Sequence, residues 1–75
     1  MTHLDENKRI MYGWDPVYQE FFIQNIRTNR KLSYNPLVDE KTNEGLISKD
    51  SFMKELSKYK TEAFHITLID AGIPI

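Results

Sequence analysis

The run Asp15-Pro16-Val17-Tyr18-Gln19-Glu20-Phe21-Phe22-Ile23-Gln24-Asn25-Ile26-Arg27-Thr28-Asn29-Arg30-Lys31 decides how the rest of the chain is read. An Asp side chain can accept hydrogen bonds from the free amides of a first helical turn, and Pro at the first helical position gives up only an amide that had no partner. Val17, Tyr18, Phe21, Phe22 and Ile26 then recur at spacings that gather them on one broad helical face. The pattern predicts a core helix over residues 16–31, ending in the basic residues Arg27, Arg30 and Lys31, which suit the negative end of a helix dipole.

Working towards the N-terminus, Leu4, Ile10 and Met11 have loosely helical spacing, with Thr2 as a candidate cap and Gly13 as a stop, so a short helix is expected over 3–12. Towards the C-terminus, residues 33–45 read as a connection with room for a weak strand near 33–38, and Pro36 keeps it from any sheet centre. Ser48 has the look of an N-cap, with Ile47 before it and Phe52 after it at the spacing of a hydrophobic staple, which predicts a helix over 49–60. In Ala63-Phe64-His65-Ile66-Thr67-Leu68-Ile69-Asp70, Phe64, Ile66 and Leu68 alternate with His65, Thr67 and Ile69, which predicts a strand over 63–70. The expected fold class is α+β: one domain over 1–75, with three short helices on a two- to three-stranded sheet. The partner of the C-terminal strand is sought near 33–38, near 46–47 or in another chain.

At 75 residues the chain has room for one thin core, and a domain of this size buries only about 60% of the surface its unfolded chain exposes. Cysteine is absent and the two histidines, His3 and His65, stand far apart in sequence, so neither a disulfide framework nor a zinc site is expected. The charged N-terminus lacks the apolar core of a signal peptide, and no apolar run approaches the roughly 20 residues of a membrane span. The expected location is cytoplasmic, in a short stand-alone chain of the kind bacteria and phages encode.

Ten Lys and Arg against eleven Asp and Glu give a net charge of -1, which removes the simplest argument for a nucleic-acid or membrane partner. For catalysis the chain offers no nucleophile with a base and an orienting acid, no pair of pocketed carboxylates and no glycine-rich phosphate loop. No enzyme activity, cofactor or small-molecule substrate is therefore expected.

The segment Glu40-Lys41-Thr42-Asn43-Glu44-Gly45-Leu46-Ile47-Ser48-Lys49-Asp50-Ser51 resembles an EF-hand calcium loop, with Gly45 at the turn position and Ile47 at the apolar one. It departs from that pattern where Ser51 replaces the bidentate Glu and Glu40 replaces the leading Asp, so it reads as a glycine turn feeding a capped helix, with no calcium bound.

Two surfaces remain as candidates. Tyr12 and Trp14 flank Gly13, where Trp14 is expected to fill the core beside Phe21 or Phe22 or else to stand out as a binding anchor, and Ile69, Ile73 and Ile75 belong to an apolar C-terminal stretch; together these five are the candidate interface with another protein or with a second copy of the chain. The leading expectation is a small regulatory or adaptor protein. The alternative is a DNA- or RNA-binding regulator of helix-turn-helix type, touching phosphate through Arg27, Arg30, Lys31 and Tyr34.

Overall fold

The computed structural model describes residues 2–37 and 46–75. The class is α+β: β1 (Thr2–Leu4), β2 (Ile10–Asp15), β3 (Glu20–Asn25) and β4 (Lys31–Tyr34) form one antiparallel sheet in the order β1-β2-β3-β4, followed by α1 (Lys49–Leu56) and α2 (Ala63–Asp70). Each strand pairs with the next in sequence, with Tyr12 opposite Ile23, Trp14 opposite Phe21 and Phe21 opposite Tyr34.

The helices expected over 3–12 and 16–31 are hairpins instead. Along β3 the apolar period is two: Phe21 and Ile23 are buried, while Phe22 and Gln24 between them are only partly covered. Asp15 does accept amide hydrogen bonds, from Val17 and Tyr18 at 2.9 and 3.3 Å, but it does so in a hairpin turn that Gln19 closes in the left-handed region at φ 55°. Helix cap and hairpin turn make the same local demand on Asp15, and burial of a sheet face decides between them. Ile10, Tyr12, Phe21 and Ile23 on that face join Phe52, Leu56 and Ile69 from the helices in one core. Phe21 lies at its centre, with Trp14 edge-on at 4.8 Å and Tyr34 stacked at 5.8 Å.

The helix expected at 49–60 forms over Lys49–Leu56, with Ser48 accepting from the Ser51 amide at 3.1 Å and Phe52 fully buried. The strand expected at 63–70 is a helix. Its apolar residues satisfy either period, and the C-terminal signal decides: Gly72 takes φ 74°, its amide donates to the Ile69 carbonyl and the Ile73 amide to the Leu68 carbonyl, a Schellman stop with Pro74 just beyond. The weak strand sought near 33–38 ends at Tyr34 as β4, and Leu46 makes one parallel bridge to Ser33. The first half of the calcium-like segment, up to Gly45, lies outside the described residues.

Candidate nucleic-acid interface

In a meander, the first and third turns fall at the same end of the sheet. Here those turns are Asp5–Arg9, in which Lys8 and Arg9 follow Asp5 and Glu6, and Ile26–Arg30, which carries Arg27 and Arg30 and no acidic residue.

In the first turn, buried Asp5 accepts through Oδ1 from the amides of Arg9 at 2.6 Å and Ile10 at 3.0 Å, while Lys8 takes φ 55°. In the third, Asn25 Oδ1 accepts from the amides of Arg27 at 2.9 Å and Thr28 at 3.0 Å, and Asn29 takes φ 60°. The turns are joined through the backbone, because the Ile26 amide donates to the Arg9 carbonyl at 3.0 Å. The Glu6 amide likewise donates to the Lys60 carbonyl at 2.8 Å, which fixes the chain leaving α1 against the first turn. Three segments distant in sequence are therefore held together through their backbones.

Two adjoining hollows open between them. The first, about 680 Å³, is lined by Lys8, Arg9 and Arg27 with Ile26 and Tyr59. The second, about 610 Å³, is lined by Arg30, Lys58 and Glu55 with Leu32 and, again, Tyr59. Asn25 and Thr28 also border both. Five cations thus face one carboxylate, and that carboxylate, Glu55, is engaged by Lys58 at 2.9 Å. Among the described residues, no carboxylate pairs with Lys8, Arg9, Arg27 or Arg30.

The C-terminal end of α1 would ordinarily repel an anion through its exposed carbonyls. That repulsion is reduced here, since all four of its last carbonyls are engaged. The Ser57 amide takes Met53, the Ser57 hydroxyl takes Lys54, and the Lys58 and Tyr59 amides take Glu55 and Leu56.

Of the phosphate-binding residues expected from sequence, the structure brings Arg27 and Arg30 to this end and sends the other two elsewhere. Lys31 lies over the Phe22 ring at 5.2 Å and reaches Asp15 at 3.8 Å, while Tyr34 packs in the aromatic core. The helix-turn-helix expected from residues 3–12 and 16–31 does not form, since residues 2–34 are strands and turns. Lys8, Arg9, Lys58 and Tyr59 escaped sequence reasoning because only the tertiary fold brings Lys8, Arg9 and Tyr59 beside Arg27, and Lys58 beside Arg30.

The residues expected to form a protein interface do not share a surface. Tyr12 and Ile69 are core residues, Trp14 is half-buried on Phe21, and Ile75 packs against the core; Ile73 is the exposed member. With residues 63–70 helical, no strand edge remains there to be covered by a second chain.

A second polar cluster ties α2 to the sheet. The rings of His3 and His65, separated by most of the sequence, lie 4.1 Å apart. Tyr12 Oη is 2.7 Å from His65 Nδ1, Glu62 is 3.9 Å from His65 Nε2, and His3 Nε2 is 3.3 Å from the Ile75 carbonyl oxygen. Burial raises the pKa of the Tyr12 phenol above its ordinary range, against the opposing effect of a backbone hydrogen bond at Glu62. No group of three or more His, Asp or Glu among the described residues is placed to hold a metal ion, and none of the helices is long and apolar enough to cross a membrane.

Compared with known family models, curated proteins and solved structures, the chain finds no match.

Proposed function

We propose that this protein is a non-enzymatic binding domain whose working surface is the basic end of the sheet, and that its ligand is the phosphate backbone of nucleic acid. The supporting observation is the set of four cations, Lys8, Arg9, Arg27 and Arg30, that converge from two turns with no carboxylate partner among the described residues. A near-neutral total charge argues against non-specific coating by a polyanion, but a local cluster supplies the same counterion release at one place. Backbone ties between the turns keep the cluster assembled before the ligand arrives, which lowers the ordering cost of binding.

The test is fluorescence anisotropy with labelled mixed-sequence DNA and RNA across a salt series. Binding at 50 mM salt that weakens steeply by 200 mM, and that is lost in the Arg27→Ser/Arg30→Ser variant, is the expected result. A folded protein that binds no nucleic acid at 50 mM salt would overturn it.

A regulatory or adaptor role through a protein partner is the second reading, favoured by a different place. At the opposite end, Val17 and Tyr18 are 81% and 68% exposed on the turn between β2 and β3. Capture of a specific protein that is abolished by Val17→Ser/Tyr18→Ser, and not by the arginine variant, would move the function to that turn.

A further inference from the structure

We infer that the nucleic acid held at the basic end is single-stranded, with Tyr59 as the platform on which a base stacks. This rests on the basic-end reading above and goes further, to the form of the ligand.

The two hollows repeat one chemical pattern. Each combines cations with apolar surface: Ile26 beside Lys8, Arg9 and Arg27 in the first, and Leu32 beside Arg30 in the second. Tyr59, partly buried against the core, borders both with the part of its ring that stays accessible. A phosphate requires the cations; the apolar floor has no use for it. A flat, weakly polar base requires the floor and the ring, and a duplex keeps its bases stacked on one another and unavailable to them.

Shape points the same way. The classes of duplex reader enter a groove with a protruding helix or two-stranded ribbon. Here the cations surround hollows between two turns and the end of α1, and the exposed Ile26, at 41% of its full accessibility, stands among them. A concave, basic surface with an aromatic ring tracks a flexible strand whose bases can turn inwards. Two hollows sharing one aromatic wall fit consecutive nucleotides, with phosphates directed to the rims where Arg27 and Arg30 lie.

Tyr59 also packs against the core, so both variants keep an apolar side chain there, with and without the ring. Ten-nucleotide oligo-dT and oligo-U, and a DNA duplex of equal length, are titrated into the wild type, Tyr59→Phe, Tyr59→Leu and Arg27→Ser/Arg30→Ser, with circular dichroism melts on each. The expected result is that at least one of the single strands binds the wild type about tenfold or more tighter than the duplex does. Tyr59→Leu then loses about five- to a hundredfold on that strand while Tyr59→Phe stays within about twofold. If duplex and single strand bind alike, the inference falls; with the arginine variant still weakened, the basic-end reading survives it. If neither binds, both fall. Should Tyr59→Leu fail to fold, the wild-type ratio of single strand to duplex decides alone.

Discussion

Between β2 and β3, Asp15 accepts from the amides of Val17 and Tyr18 and Gln19 turns left-handed; between β3 and β4, Asn25 accepts from the amides of Arg27 and Thr28 and Asn29 turns left-handed. The backbones are built alike, yet the first turn presents Pro16, Val17 and Tyr18 and the second presents Ile26, Arg27 and Thr28. Shape in each turn comes from the residue that begins it and the residue that adopts positive φ, which leaves the tips free to carry chemistry. Among the described residues, the second of these turns is tied to another part of the chain by a backbone hydrogen bond, from the Ile26 amide to the Arg9 carbonyl, while the first is reached by the Lys31 side chain at Asp15. The pair separates what holds the sheet together from what the sheet displays.

Removing what the two turns share has the largest effect. Phe21 is fully buried in the strand that joins them, so Phe21→Ala should cost about 3–5 kcal/mol, enough to abolish a cooperative melt in so small a domain. A transition near that of the wild type would show that the aromatic core is not what sets the turns. Neutralising one tip comes next. Arg27→Ser/Arg30→Ser should lower nucleic-acid affinity about tenfold at low salt. It should also flatten the dependence of log affinity on log salt by about 0.7 for each phosphate of a single strand that the variant no longer neutralises. Its melting temperature should hardly move.

The turn-forming residues sharpen the contrast. Asp15→Ala and Asn25→Ala each remove the acceptor for two amides and should each cost about 1 kcal/mol, while only Asn25→Ala weakens binding. Equal binding by the two variants would place the working surface elsewhere. Smallest of all is Val17→Ser/Tyr18→Ser, expected to change stability within about 0.5 kcal/mol and nucleic-acid affinity not at all, as read from a melt and an anisotropy titration.

Away from the turns, Tyr12 gives a pH test. Burial puts its phenol pKa higher in the folded chain than in the unfolded one, so its contribution to stability is fully present below the ordinary tyrosine value of about 10 and is lost as pH rises through the folded value. Urea melts above pH 10 should lose stability in the wild type and less of it in Tyr12→Phe.

The capped helix after Ser48 was legible because Ser48, Ile47 and Phe52 give signals that agree with one another, whereas the α+β class was reached with its elements exchanged, since residues 3–12 and 16–31 are strands and turns and 63–70 is a helix. The β-meander was obscured by a coincidence at Phe21, Phe22 and Ile26, where a two-residue alternation followed by a turn imitates a helical face. A better signal was present and local: Asp5, Asp15, Asn25 and Asn35 stand ten residues apart, and each accepts a hydrogen bond from an amide in the turn it begins. Turn residues at that interval mark short strands. In the last element, Gly72 and Pro74 announced a helix stop that the alternation of Phe64 to Ile69 concealed. The cationic site was half legible, since Arg27 and Arg30 declare themselves, while Lys8, Arg9 and Tyr59 join them only once the order of the strands is known.

That order has a kinetic consequence. Because every strand pairs with its sequence neighbour, the sheet can close through three short loops in succession, each with a small entropic barrier, and none waits on a distant segment. The contact between His3 and His65 is different, since it must close a loop spanning most of the chain. A chain arranged this way should collapse into its hairpins first and dock α2 last. Substitutions at His65 would then speed unfolding while barely slowing refolding, and substitutions in the β2–β3 hairpin would do the reverse.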